Sequence, residues 1–90
     1  MAVYVDHAFA HGEWGRWSGG GHLQADTPQE LDEFAARLGL QRRWLQQREG
    51  RPERDHYDLT AALRLRALEA GAIAEDRRAG VERRRRASRR

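Results

Sequence analysis

The stretch Thr27-Pro28-Gln29-Glu30 limits what this chain can fold into more than any other. A threonine followed three residues later by glutamate is a capping box, and proline suits the first helical position because its missing N–H has no intrahelical partner there. Leu31, Phe34, Ala35 and Leu38 follow at i, i+3, i+4 and i+7, which places them on one stripe. Gly39 supplies the left-handed stop. The spacing predicts a helix over 28–38 with a single apolar face. The rest of the chain must therefore build a surface that covers that face. With 90 residues and 39% hydrophobic content, it can do so only as one small domain with a thin core. Trp14, Trp17 and Trp44 are expected to supply buried area, and a second copy of the chain is a further source of stability.

The flanking segments read as strands. Val3-Tyr4-Val5 is β-branched and aromatic, and it predicts a first strand ending at Asp6. His7 to Gly21 is rich in glycine and aromatics and has no helical period, so it reads as a long loop of the kind that often carries function. His22 to Asp26 alternates, with Leu23 and Ala25 on one face and His22, Gln24 and Asp26 on the other. Trp44-Leu45 suggests a third strand at 42–46. His56-Tyr57-Asp58 then leads into a second helix capped by Asp58 or Thr60, with Ala61, Leu65, Leu68 and Ala72 as its stripe and Gly71 as its end. Ala72-Ile73-Ala74 closes the series as a short fourth strand. The order β-β-α-β-α-β predicts an α/β or α+β domain, a short sheet covered by two helices.

All 17 basic residues are arginine, and eight of them fall in 77–90 with Glu82 as the sole acid. That stretch carries +7, whereas residues 1–76 carry −4. The reading is a compact domain over 1–76 and an arginine-rich tail over 77–90, disordered or extended as a helix. Arg77–Arg90 is a natural arm for nucleic acid or another polyanion; a solvated tail without a dedicated partner is the plain alternative. The absence of cysteine removes disulfides, thiolate catalysis and cysteine zinc sites. No apolar run approaches the roughly 20 residues of a membrane span, and the first residues lack the pattern of a signal peptide. A cytoplasmic protein without membrane contact is expected.

Polar residues collect at the predicted element ends, where ligand sites of sheets with parallel strands lie. Asp6, His22, Asp26, His56 and Asp58 are three carboxylates and two imidazoles, a set suited to a divalent metal or to acid–base chemistry. Asp6, Asp26 and Asp58 are the expected metal ligands, with His56, His22 and Asp58 as catalytic groups. Each has a structural alternative: Asp26 as a turn closer, Asp58 as a helix cap, and the histidines bonded to neighbouring carbonyls. Arg64, Tyr57 and Trp17 are candidate ligand-binding residues, Arg64 through a bidentate hold on phosphate. Trp14 and Trp17 can stack a base, or pack in the core. His7 and His11 lie in the glycine-rich loop as weaker candidates. The chain has no phosphate-binding loop with lysine, no dinucleotide fingerprint and no nucleophile elbow.

Val3-Tyr-Val-Asp6, Trp17-Ser, His22-Leu-Gln-Ala-Asp26-Thr27, Glu30-Leu31 with Phe34-Ala35 and Gly39, His56-Tyr-Asp58, Arg64 and Ala70-Gly-Ala72 together resemble the small bacterial and phage family catalogued as domain of unknown function four-zero-three-one. The resemblance covers nearly all of residues 3–74 and leaves the arginine-rich tail outside. It implies a compact single domain and marks Asp6, His22, Asp26, His56, Tyr57, Asp58 and Arg64 as motif positions, without implying an activity. The functional expectation from the residues is binding of a phosphorylated ligand, a nucleotide or nucleic acid, with metal-assisted hydrolysis of a phosphoester. The alternative is a non-enzymatic module that binds protein or nucleic acid, in which the Asp and His residues are structural.

Overall fold

The capping box forms as its sequence dictates. In the computed structural model, which describes residues 2–88, Thr27 Oγ1 accepts from the Glu30 N–H and donates to the Glu30 carboxylate. Helix α1 runs Pro28–Leu38, and Gly39 ends it at φ +82°. Its buried residues are Leu31, Phe34, Ala35 and Leu38, the predicted stripe.

That stripe packs on a four-stranded mixed sheet. Strands β1 (Val3–Val5), β2 (Gly21–Ala25), β3 (Tyr57–Leu59) and β4 (Ile73–Ala74) lie in the order β3-β2-β1-β4. The β1–β2 and β2–β3 pairs are antiparallel, and β1–β4 is parallel. Helix α2 (Ala61–Glu69) makes the β3-to-β4 crossover, and α3 (Arg77–Ser88) follows β4. Val5, Leu23, Ala25, Tyr57 and Leu59 face the core with α1 and with Ala67 of α2. The opposite face carries Tyr4 and Gln24. There α3 docks through Arg83, whose guanidinium lies 4.2 Å from the Tyr4 ring centroid and donates to Gln24 Oε1 at 2.7 Å.

Several expectations are corrected. Residues 42–46 are not a strand: Arg42–Trp44 is one 3-10 turn, and Gln46 makes a single bridge to His56. The third strand is Tyr57–Leu59, in the segment that reads as the approach to α2. Tyr57 and Leu59 point inward, so Asp58 is a strand residue and the cap falls to Thr60, whose Oγ1 accepts from Leu63 N. The α2 stripe is only half as expected: Leu68 and Ala72 do pack on the core, but Leu63 and Ala67 face inward with them, whereas Ala61 is exposed and Leu65 is 59% exposed. The tryptophans do not build the core, since Trp14 and Trp44 are about half exposed and Trp17 is half-buried beside Arg16. The sheet is covered by three helices rather than two. No helix is long and apolar enough to cross a membrane among the described residues.

Candidate metal centre

The β2–β3 register brings His22 opposite Asp58. Antiparallel neighbours on one face stand close enough for their side chains to meet. His56 lies two residues before Asp58 and so shares its face of the strand. The three side chains converge. Asp58 Oδ1 is 3.6 Å from His22 Nε2 and 3.5 Å from His56 Nε2, and the two imidazoles meet edge to face with centroids 4.9 Å apart. One donor atom from each of the three lies within 4.8 Å of the other two.

The outer nitrogens fix the tautomers. His22 Nδ1 lies 3.0 Å from the Asp6 carboxylate, and His56 Nδ1 lies 3.0 Å from the Arg54 carbonyl. A carboxylate and a carbonyl only accept, so both Nδ1 atoms carry the hydrogen. With Nδ1 holding the hydrogen, the deprotonated form of each ring, the form that binds a metal ion, turns an Nε2 lone pair toward Asp58. Asp58 Oδ2 is satisfied by Gln46 Nε2 at 2.7 Å, but Oδ1 is buried without a hydrogen-bond partner. A buried carboxylate oxygen facing two lone pairs is costly unless a cation sits among them. Two donors about 2.1 Å from one tetrahedral ion stand about 3.4 Å apart, close to both observed separations. Hydrogen bonds to the far side of each ligand are also what metal centres use to orient them.

Asp6 anchors this arrangement. Its Oδ1 accepts from the N–H groups of His22 (2.8 Å) and Ala8 (3.0 Å), while Oδ2 holds the His22 ring. Burial works against the Asp6 charge, but these bonds outweigh it and hold its carboxyl below the usual range. The same bond to Asp6 raises the His22 pKa against the opposing effect of burial. The glycine run makes room for this contact. A Cβ on Gly21 would overlap the Asp6 carbonyl oxygen, and one on Gly20 the Leu59 carbonyl oxygen.

The remaining sequence candidates scatter. Asp26 lies past the other end of β2, about 13 Å of strand from Asp6, and accepts from Tyr4 Oη and Ala2 N. Tyr57 is 1% exposed and belongs to the core. Arg64 Nε donates to the Asp6 carbonyl at 2.8 Å, steadying the chain just after β1. Trp17 packs with Arg16. A cavity of about 640 Å³ opens beside the triad, with His22, His56, His7, His11, Arg54 and Arg84 in its lining. Sequence reasoning missed Gln46, Arg54 and Arg84. Gln46 and Arg54 meet the site through one bridge and one carbonyl, which leave no local pattern, and Arg84 lies in a charge run that reads as solvated.

The family model described as protein of unknown function, DUF4031, matches residues 3–87. The chain belongs to the DUF4031 family. The DUF4031 match reaches almost to the end of α3, so the arginine-rich segment is part of the family region and not an addition outside it. No curated protein and no solved structure matches the chain.

Proposed function

We propose that this domain binds a phosphorylated ligand beside a transition-metal ion held by His22, His56 and Asp58, and hydrolyses its phosphoester bond. The observation that carries the reading is the orphaned Asp58 Oδ1 set between two imidazole lone pairs. Two imidazoles and one carboxylate suit zinc, iron or manganese better than calcium or magnesium. His22 and His56 also line an open cavity, so coordination positions remain for water and substrate, as in a catalytic rather than a structural centre. A metal ion in such a centre lowers the pKa of its water toward neutrality. Arg54 and Arg84 line the same cavity and offset phosphate charge. His7 and His11 are also in the lining, and we assign them the transfer of a proton to the leaving oxygen. Asp6 is a positioning residue that sets the His22 ring.

The test is hydrolysis of bis-p-nitrophenyl phosphate by the full chain, stripped with chelator and reloaded with zinc or manganese. The expected result is activity that returns with metal and falls at least ~100-fold in Asp58→Asn, the scale on which lost electrostatic stabilisation shows. Equal rates in wild type and Asp58→Asn, or no activity with either ion, would overturn the hydrolytic reading.

A further inference from the structure

The cavity beside the triad does not end at the triad. A second hollow of about 250 Å³ adjoins it, and Arg54 and Arg84 line both. Arg48 and Arg77 extend the first, and Arg51 and Arg85 extend the second. Six arginines thus form one continuous band built from the 46–55 loop and α3. Among the described residues, none of the six is paired with a carboxylate; the ion pairs of this region are Arg83–Glu75 and Arg78–Glu82. Arg84 is partly buried with Arg83 and Arg54 close by, and burial followed by these like charges lowers its pKa. Asp6, Glu75, Asp76 and Glu53 also line the two hollows, and Glu75 and Asp6 partly offset the lowering at Arg84, but six arginines against four acids leave the band net positive.

The dimensions argue against a single phosphate. Arg77 to Arg85 spans roughly 12 Å along α3 at ~1.5 Å per residue. Phosphates along one strand are spaced by no less than the roughly 3.4 Å rise of a duplex, and by more when the strand is single and extended, so the band covers more than one. An exposed aromatic group stands close to the cavity, outside its lining. Trp14 is 47% exposed, and its indole Nε1 donates to the carbonyl of His11, which lines the cavity. Its ring centroid lies 5.0 Å from that of Phe9, which lies 5.1 Å from that of His22. A backbone-tracking basic groove with an exposed aromatic beside it is how single strands are held.

We propose that the arginine band and Trp14 form a binding site for single-stranded nucleic acid, leading its phosphates past the His22–His56–Asp58 centre. This rests on the phosphate-binding part of the function proposed above and not on the metal. The experiment is fluorescence anisotropy of labelled oligothymidylates of increasing length with the full chain in chelator, competed with thymidine monophosphate, duplex DNA and polyglutamate. Affinity is expected to rise with strand length and to fall with salt, with a slope of about 0.7 per phosphate neutralised. Arg51 and Arg85 are exposed, so the double variant R51A/R85A should fold and lower that slope by about 1.4. Competition by the mononucleotide as effective as by the oligonucleotide would overturn the proposal. So would tighter binding of duplex, equal competition by polyglutamate, or an unchanged slope in the double variant. Strand binding without hydrolysis refutes only the hydrolytic reading; hydrolysis of the small diester without length-dependent binding refutes only this one.

Discussion

Replacing Arg83 by alanine should unfold much of what holds α3 in place. The Arg83 and Glu75 side chains are 9% and 8% exposed, and two hydrogen bonds of 2.7 and 3.0 Å join them. The same guanidinium donates to Gln24 Oε1 at 2.7 Å and covers Tyr4. Truncation leaves the Glu75 charge behind in a buried setting, while the Gln24 carbonyl keeps only its bond from Arg84 at 2.8 Å. Breaking a buried pair in this way costs about 3–5 kcal/mol. For a domain of this size, 1 kcal/mol moves Tm by about 4–8 °C, so the loss should be at least ~12 °C. Arg86→Ala, on the exposed side of α3, is the control and should stay within about 0.5 kcal/mol. Replacing both partners, as Arg83→Met with Glu75→Leu, should recover much of the loss, because no unpaired charge then remains. Thermal melting followed by circular dichroism reads all four proteins. An Arg83→Ala variant that melts within ~2 °C of wild type would refute the buried-pair argument and the docking of α3.

Other consequences are equally direct. Gly21→Ala would drive a methyl group into the Asp6 carbonyl oxygen, so it should destabilise the domain by at least ~1–3 kcal/mol in denaturant titration and loosen the Asp6–His22 contact. Thr27→Ala should cost about 1 kcal/mol, since Thr27 caps α1 through Glu30, and Thr27→Ser should restore most of it. The Asp6–His22 pair gives metal-free protein a pH signature. His22 is raised, so its contribution is full below its unfolded pKa of about 6.5 and is lost as pH rises through the folded value. Asp6 is lowered, so its contribution is present above about 3.9 and is lost as pH falls through its folded value. Metal-free protein should therefore gain most from this pair between about pH 4 and 6.5, and a melting profile of Asp6→Asn should lose that gain.

How much of this was legible depended on how local each signal is. Helix α1 could be read completely because its box, stripe and stop lie within thirteen adjacent residues. Strand β3 could not, since three residues are too few for a period to emerge, and a helix cap explains Asp58 equally well from sequence. That substitution hid the main point. On a strand, His56 and Asp58 share a face; in a helix approach they do not. The sequence did single out Asp6, His22, His56 and Asp58, but their meeting depends on the order β3-β2-β1, which only the folded sheet supplies. Asp26 looked equivalent by its position at a strand end, yet antiparallel pairing sends it to the far end of the sheet from Asp6. In α3 the charge run conceals two kinds of arginine. Arg83 is a buried anchor because Glu75 and Gln24 await it, whereas Arg85 and Arg86 stay exposed. Composition cannot separate them.

His22, His56 and Asp58 present their donor atoms as a cation would need them. Calorimetric titration of zinc into the metal-free full chain, for wild type, His56→Ala and Asp58→Asn, tests this most directly. One ion per wild-type chain and none in either variant is expected. Above the pH at which His22 loses its proton, metal-free Asp58→Asn should be at least as stable as wild type, because the amide can donate to an imidazole lone pair where Asp58 Oδ1 has no hydrogen-bond partner. No zinc binding by wild type, undiminished binding by Asp58→Asn, or a metal-free Asp58→Asn protein clearly less stable than wild type in that pH range would contradict a cation site here.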